Sequence, residues 1–397
     1  MRRSTLTAAF LSAFAAVAVA QDFQIGSRAK GMGGSYTSFE NDPVSIWMNP
    51  AGIATLPSQM TISYQSYTQY EVDSTKPDRQ GEAELGLVSP PLLPSFLGFV
   101  FQLGTTENPL AIGVAYMRPV HLRMTYDSDP GGDDGVDEVD FLEEQEFTRF
   151  RFCLAYTFRL RDAGVPGLFT HVSLSGAWDL GYTEWSEHAV TATTTTLVNS
   201  DRNTKWAGGV GVLFGVYDNT DDLKITVGAA FNSSVEWTFQ VSKSAFPVWT
   251  WPKTSSVGVT ADLLHGYPLR VTFDLQWIDW STAVAPSAIA GHPNFRSVTN
   301  FSLGAEFRIK IRDGALLLYP RIGYRRVSAP WSDPDRLPAV GEMILYVDTH
   351  HDVWNLLTIG GGLYWSTQDG RTRGLEFGHE LFGESTFNLS FGYTMEF

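Results

Sequence analysis

The chain has 397 residues, of which 43% are hydrophobic, and carries a formal net charge of −15. This acidic balance argues against nucleic acid or an anionic surface as a partner, and the sequence contains no cluster of Lys and Arg suited to phosphate. The one cysteine, Cys153, excludes an internal disulfide, so hydrogen-bonded sheet and packing have to supply the stability.

The first twenty residues have the pattern of a secretory signal peptide. Two arginines precede a run of small apolar residues that ends in the A-x-A-type cleavage site 18–20. We expect residues 1–20 to be removed and the mature chain to begin at Gln21. No cysteine lies near the site, so no lipid anchor is predicted. No later stretch approaches the roughly 20 apolar residues of a membrane-spanning helix.

From residue 58 onward the sequence alternates between apolar and polar residues with a period of two. The last segment is the clearest: six apolar residues alternate with polar or small ones, namely Phe387, Leu389, Phe391, Tyr393, Met395 and Phe397. Successive side chains of a strand point to opposite faces, so such a segment has one apolar face. Runs of about 10–13 residues suit a tilted membrane strand better than an ordinary strand of about 5–6. Composition alone leaves a large secreted β domain open.

Reading in chain order, the alternation predicts fourteen strands, an even number that favours closure of a bacterial barrel. They lie near 59–71, 95–103, 109–126, 146–161, 168–185, 204–217, 223–241, 252–264, 267–280, 296–311, 315–327, 352–366, 371–382 and 386–397. Brief turns alternate with long loops, the asymmetry typical of outer-membrane barrels. The predicted fold is therefore all-β: a transmembrane antiparallel β-barrel of about 14 strands over residues 58–397.

Residues 21–57 are rich in glycine and small residues and are too polar to lie against lipid. Irregular backbone at membrane depth is tolerated only when it is buried in protein. We therefore expect a small N-terminal hatch inside the barrel, bonded to lumen side chains such as Arg151, Glu306 and Arg308. An ordinary N-terminal extension with a turn at Asn49-Pro50 is the alternative.

The hatch sequence resembles the N-terminal hatch of the FadL/TodX-type outer-membrane transporters of hydrophobic compounds. The resemblance runs from Gly26–Gly34 through Asn41-Asp42-Pro43 to a motif that starts at Trp47 and has Asn49, Pro50, Ala51 and Gly52 at its centre. Downstream, 275–281, 321–324 and 359–364 are similar to motifs of these barrels. The PorV-like barrels, which assist protein export, have a similar N-terminal sequence.

The resemblance implies a fourteen-strand barrel with a plugged lumen in the bacterial outer membrane, crossing it many times. It also implies passive uptake of hydrophobic small molecules such as long-chain fatty acids. The alternative it leaves open is a PorV-like scaffold that acts in protein export and has exported proteins as partners. The outer loops between segments five and six and between seven and eight are shorter than the ligand-gathering loops of the transporter family.

Four apolar residues of the hatch are the candidate ligand contacts: Phe39, Ile46, Trp47 and Met48. Packing within the hatch is the alternative for each of them. Pro119 interrupts the third segment, and proline cannot donate to a strand ladder. In the resembled family a kink in the third strand opens a lateral hole toward the bilayer, so Pro119 is the candidate for that kink. A simple bulge is the alternative.

The terminal Phe397 resembles the signal read by the barrel-assembly machinery, which we expect as a partner together with outer-membrane lipids. The stretch 127–146 holds ten acidic residues and no basic ones, but its spacing fits no calcium loop, and a solvated loop is the simpler interpretation. No nucleophile elbow, zincin motif, P-loop or dinucleotide fingerprint occurs. We therefore expect no enzymatic activity, no catalytic residues, no cofactor and no resident metal.

Overall fold

A computed structural model describes residues 25–39, 42–66, 69–76, 79–86, 94–105, 108–127, 140–160, 169–190, 195–219, 222–238, 248–263, 268–282, 296–311, 315–328, 353–381 and 387–397. The predicted signal peptide, Asn41 of the sequence Asn41-Asp42-Pro43 and residues 128–139 of the acidic stretch lie outside these ranges. The described helices are α1 (Ser27–Gly31), α2 (Ser45–Met48) and the 3-10 turns Pro50–Ile53 and Trp280–Thr282. In this part of the chain no helix is both long and apolar enough to cross a membrane.

The remaining elements are strands. They are β1 (Gln59–Ser66), β2 (Gln69–Lys76), β3 (Arg79–Gly86), β4 (Phe96–Gln102), β5 (Leu110–Asp127), β6 (Asp140–Arg159), β7 (His171–Val190), β8 (Thr195–Asn219), β9 (Leu223–Asn232), β10 (Val235–Thr238), β11 (Val248–Trp251), β12 (Lys253–Leu263), β13 (Leu269–Asp279), β14 (Ser297–Phe307), β15 (Ile309–Ile311), β16 (Leu316–Ser328), β17 (Val353–Ser366), β18 (Thr372–Leu381) and β19 (Phe387–Glu396).

Fourteen strands close into one antiparallel barrel, which confirms the predicted fold class. The order round the ring is β1, β4, β5, β6, β7, β8, β9, β12, β13, β14 with its continuation β15, then β16, β17, β18 and β19. The seam is closed by β1, which pairs with β19 on one side and with β4 on the other. Each predicted segment overlaps one strand of this ring. Within the described residues each of the fourteen strands is paired with a neighbour on both sides, as a barrel that spans a membrane requires.

The outer face of the barrel is apolar and the inner face is polar. On β18, for example, Leu375 and Phe377 are exposed while Glu376 and Glu380 are buried. A soluble protein shows the opposite arrangement, since it buries Leu and Phe and exposes Glu. Rows of exposed Phe, Leu, Ile and Val run round the ring, which is the surface of a barrel surrounded by lipid.

Three elements differ from the predicted strands. The hairpin of β2 and β3 was not expected, and β3 also pairs with the far end of β5, where Glu84 lies opposite Thr125. Strands β6, β7 and β8 run several residues past their predicted limits at the loop end of the barrel. The sequence no longer alternates regularly between apolar and polar residues in these extensions, but strand pairing continues through them. The segment predicted as 223–241 is divided, because β10 leaves the ring and pairs with β11.

The expected position of Arg308 is wrong. This residue is exposed and lies between β14 and β15, where its backbone N–H donates to the carbonyl oxygen of Pro268 at 2.9 Å. The ladder is interrupted at this residue, so the in-and-out alternation of β14 does not continue through it. Arg308 is therefore not one of the lumen side chains.

Candidate functional site

The described residues 25–39 and 42–56, called here the N-terminal segment, are almost entirely buried. Their backbone turns after α1 at Gly33 and Gly34, which have φ of 66° and 80°. Only glycine adopts this left-handed region without strain. A Cβ at Gly33 would also lie 2.8 Å from the carbonyl oxygen of Tyr324 on β16. The glycine therefore allows the segment to approach the barrel wall closely.

An arginine of α1 ties the segment to the wall through a buried ion pair. Arg28 donates from Nε and Nη2 to the two carboxylate oxygens of Glu306 on β14, at 3.0 and 2.7 Å. Arg321 on β16 donates to the same carboxylate at 2.7 Å and to Glu376 at 3.1 Å. Buried charges are stable only when paired in this way, so the network holds α1 against β14, β16 and β18.

The backbone of residues 36–37 is held by a second wall carboxylate. Asp274 on β13 accepts hydrogen bonds at one oxygen from the backbone N–H groups of Tyr36 (2.6 Å) and Thr37 (2.7 Å). Three strands farther round the ring, Thr358 on β17 donates to the carbonyl oxygen of Gly31 at 3.3 Å. Irregular backbone needs such partners away from water, and here the lumen side chains supply them.

The predicted hatch motif forms one buried turn. The amide of Asn49 donates to the carbonyl oxygens of Thr37 (2.7 Å) and of Val212 on β8 (3.1 Å), and its oxygen accepts from the N–H of Ala51. Pro50 opens the 3-10 turn, where its missing N–H costs nothing. A Cβ at Gly52 would lie 2.4 Å from the carbonyl oxygen of Phe39, so no residue with a side chain fits at this position without a shift of the backbone.

Two wall arginines on β6 enclose Trp47. Arg149 and Arg151 both pair with Asp179 on β7, and their guanidinium carbons lie 4.8 and 4.9 Å from the ring centre of Trp47. Arg151 also donates to the carbonyl oxygens of Ile46 (3.2 Å) and Trp47 (3.0 Å). The expectation that Arg151 and Glu306 bond to the N-terminal segment therefore holds.

Burial within the N-terminal segment shifts the pKa of its carboxyl group. Burial raises the pKa of Asp42 to about 6, and the neighbouring carboxylate of Glu376 acts in the same direction, while Arg28 opposes the shift. Asp42 accepts from the Tyr36 hydroxyl at 2.9 Å and from the Val44 N–H at 2.8 Å. The charge on the segment therefore changes near pH 6.

The four candidate ligand contacts fall into two groups. Phe39 and Ile46 are fully buried; Phe39 stacks on Tyr36 at 4.2 Å and lies under the guanidinium of Arg28. Trp47 and Met48 are half-buried and line a cavity between the segment and the wall. The structure thus places two of the predicted residues at a cavity and two in the packed interior of the segment.

The cavity has a volume of about 60 Å³. Its apolar wall residues, which the sequence did not single out as ligand contacts, are Trp251, Pro252, Ile278 and Trp280, and its polar ones include Arg149, Asn232, Asp274 and Gln276. Trp251 and Pro252 precede β12 and Trp280 follows β13, so the cavity lies toward the barrel end opposite the end of β19. A benzene-binding cavity measures about 150 Å³, so admitting even one ring requires side chains to move.

The backbone of β5 is irregular at the predicted kink. Its ladder with β6 shifts register between Met117 and Val120, the two residues that flank Arg118-Pro119. On its other side β5 pairs with β4 as far as Met117, and with β3 from Arg123 onward. Residues 87–93, which connect β3 to β4, lie outside the described ranges. A bulge at Pro119 is therefore observed, and the lateral opening stays a prediction.

The C-terminal Phe397 lies at the seam of the barrel. Its N–H donates to the carbonyl oxygen of Ser58 at 3.1 Å, and its exposed ring meets the edge of Phe101 at 5.8 Å between centroids. The role of Phe397 in assembly stays a prediction. Among the described residues, no group of three or more His, Cys, Asp or Glu is arranged to hold a metal ion.

A closed fourteen-strand barrel with an apolar outer belt has the architecture of an outer-membrane β-barrel, and the chain has the FadL/TodX-type fold. The structure is similar to that of the toluene transporter TbuX of Ralstonia pickettii, with 15% identity and a TM-score of 0.56 over 94% of this chain and 99% of that one. It is also similar to the toluene transporter TodX of P. putida (13%, 0.56, 95% and 99%) and to a FadL homologue of Pseudomonas aeruginosa (12%, 0.55, 94% and 99%).

At these identities the likeness concerns the fold. No protein-family model and no curated protein sequence matches the chain.

Proposed function

We propose that the protein is an outer-membrane channel for the passive uptake of hydrophobic small molecules. Residues 21–57 act as a hatch that closes the lumen, and residues 58–397 form the channel wall. The observation that carries this proposal is the cavity between hatch and wall, where Trp47 and Met48 face Trp251, Ile278 and Trp280. Aromatic and aliphatic side chains in a concave site favour an apolar ligand. The sequence contains no ATP-binding motif, so transport follows the concentration gradient.

The position of the cavity supports entry from the loop end of the barrel. An apolar ligand that leaves the polysaccharide layer reaches Trp251 and Trp280 before it reaches the hatch. The cavity is smaller than a benzene ring requires, so a ligand can occupy it only if the side chain of Trp47 or Met48 moves. Binding energy gained in the cavity then offsets part of the cost of loosening the hatch, and the ligand itself favours the open state.

We place the exit at the bulge of β5. The hatch touches this strand below the bulge, since a Cβ at Gly113 would lie within 3.0 Å of both Ile46 and Ile53. Proline at 119 removes a donor from the ladder, which weakens pairing locally. A ligand released at this point passes into the bilayer and never crosses the polar, hatch-filled part of the lumen.

Uptake of labelled toluene and of a labelled long-chain fatty acid by cells that produce the protein tests the proposal. Trp47→Ala should lower uptake severalfold, because it removes the aromatic floor of the cavity. Trp206→Ala is the matched control, since this indole is 76% exposed on β8, does not line the cavity, and should leave uptake unchanged. Equal uptake by producing and non-producing cells would contradict the proposal. An exported protein that co-purifies with the barrel would instead favour the export scaffold.

A further inference from the structure

Two buried N–H groups at the cavity lack an acceptor. Arg149 and Trp280 both line it, and their side chains are nearly inaccessible, at 1% and 4% exposure. Neither Nε of Arg149 nor Nε1 of Trp280 has a hydrogen-bond partner among the described residues. Buried donors in proteins are almost always paired, so two orphans at one small cavity point to an acceptor that the ligand brings.

Most of the other polar groups at the cavity are engaged. Arg149 donates from Nη2 to Asp179, which also binds Arg151, so one buried carboxylate serves two guanidinium groups. The amide oxygen of Asn232 accepts from Arg151 at 2.7 Å. One carboxylate oxygen of Asp274 accepts from the backbone of the hatch at 2.6 and 2.7 Å. The other oxygen, Oδ1, is buried and has no hydrogen-bond partner among the described residues. The cavity wall therefore offers two unpaired donors and one unpaired acceptor beside its apolar residues.

We infer that the cavity binds an apolar compound that carries a hydrogen-bond acceptor, rather than a plain hydrocarbon. This inference rests on the proposed function and specifies its ligand. The apolar body of the ligand contacts Trp47, Met48 and Ile278, and its oxygen accepts hydrogen bonds from Trp280 and Arg149. A hydrocarbon in the same cavity would leave both donors unpaired, so the site discriminates against it.

The test compares three probes that share one ring: toluene, 4-methylphenol and 4-methylbenzoate. Dissociation constants are measured by equilibrium dialysis against the full-length protein in nanodiscs, with empty nanodiscs giving the contribution of lipid partition. Trp280→Phe removes the indole N–H and keeps an aromatic ring. It should weaken binding of an acceptor-bearing probe about three- to tenfold, the usual effect of one hydrogen bond, and should change toluene binding less than twofold.

The matched control is Trp277→Phe. Trp277 lies on β13, the strand that ends just before Trp280, and is 42% exposed on the lipid face. Its replacement should leave the affinity for all three probes unchanged. Arg149→Lys keeps the charge and removes the Nε donor, so it provides the same comparison if Trp280→Phe does not fold. The probe that loses affinity identifies the head group: 4-methylphenol for a neutral oxygen, 4-methylbenzoate for a carboxylate.

Two outcomes overturn the inference in distinguishable ways. If toluene binds and neither Trp280→Phe nor Arg149→Lys changes the affinity for the oxygen-bearing probes, the head-group bond does not exist and the proposed function stands. If none of the three probes binds above empty nanodiscs, the proposed function fails and this inference fails with it.

Discussion

The ion pair between Arg28 and Glu306 should decide how firmly the hatch is held. Both side chains are buried, and the pair is bidentate at 3.0 and 2.7 Å. Breaking such a pair costs about 3–5 kcal/mol, because the remaining charge is left buried. In Arg28→Ala, Glu306 still has ion-pair partners in Arg321 at 2.7 Å and Arg270 at 3.6 Å, so its charge is not left alone. We therefore expect a cost at the lower end of this range, about 3 kcal/mol. If this energy stabilises only the state in which the hatch closes the lumen, the population with a displaced hatch rises by roughly 150-fold.

Single-channel recording in planar bilayers measures this population as open probability. Arg28→Ala should conduct in frequent long openings where the wild type conducts rarely. Arg28→Lys keeps the charge but loses the bidentate geometry and should give an intermediate value. Arg202→Ala breaks an exposed ion pair, with the arginine side chain 68% accessible, and should behave as the wild type. An Arg28→Ala barrel that folds and shows wild-type open probability would refute the proposed role of this ion pair.

Three further predictions follow from other parts of the molecule. Pro119→Val restores a backbone N–H donor at this position, and valine is a good strand former, so pairing beside β5 should tighten. The variant should insert and bind ligand normally but take it up slowly. Unchanged uptake would mean that Pro119 forms only a local bulge. Deletion of Phe397 should lower the amount of barrel in the outer membrane, measured by fractionation, and normal levels would count against an assembly signal. Asp42→Asn should remove the loss of thermal stability expected as pH rises from about 4 to about 6, because burial raises the pKa of this carboxyl and makes its ionisation unfavourable in the folded protein; parallel pH–stability curves would contradict this.

The barrel was predictable because lipid outside and buried polar contacts inside impose an alternation of apolar and polar residues on the membrane-spanning part of the strands. The same rule also holds information that strand prediction alone did not use. Trp280 continues the inward series of Asp274 and Ile278 on β13, whereas Trp277 belongs to the outward series. Its place in this alternation indicates that Trp280 faces the lumen.

The contacts that hold the hatch were not predictable from spacing. Arg28 and Glu306 are 278 positions apart, and a polar inward residue on one strand looks like a polar inward residue on any other. Nothing local indicates which strand faces α1 after closure. Asn49 is different, since its motif resembles a known hatch and the structure gives the motif a physical role: one side chain ties residue 37, β8 and the following turn together.

The conductance of a barrel without its hatch tests the central claim most directly. Removing residues 22–52 takes away Arg28, Trp47 and Asn49 and leaves every strand of the ring intact. If the hatch closes the lumen, the shortened barrel should insert and conduct ions steadily in planar bilayers, while the intact protein conducts little. Equal conductance of the two barrels, with both shown to be folded, would contradict the account of a channel closed by its N-terminal segment.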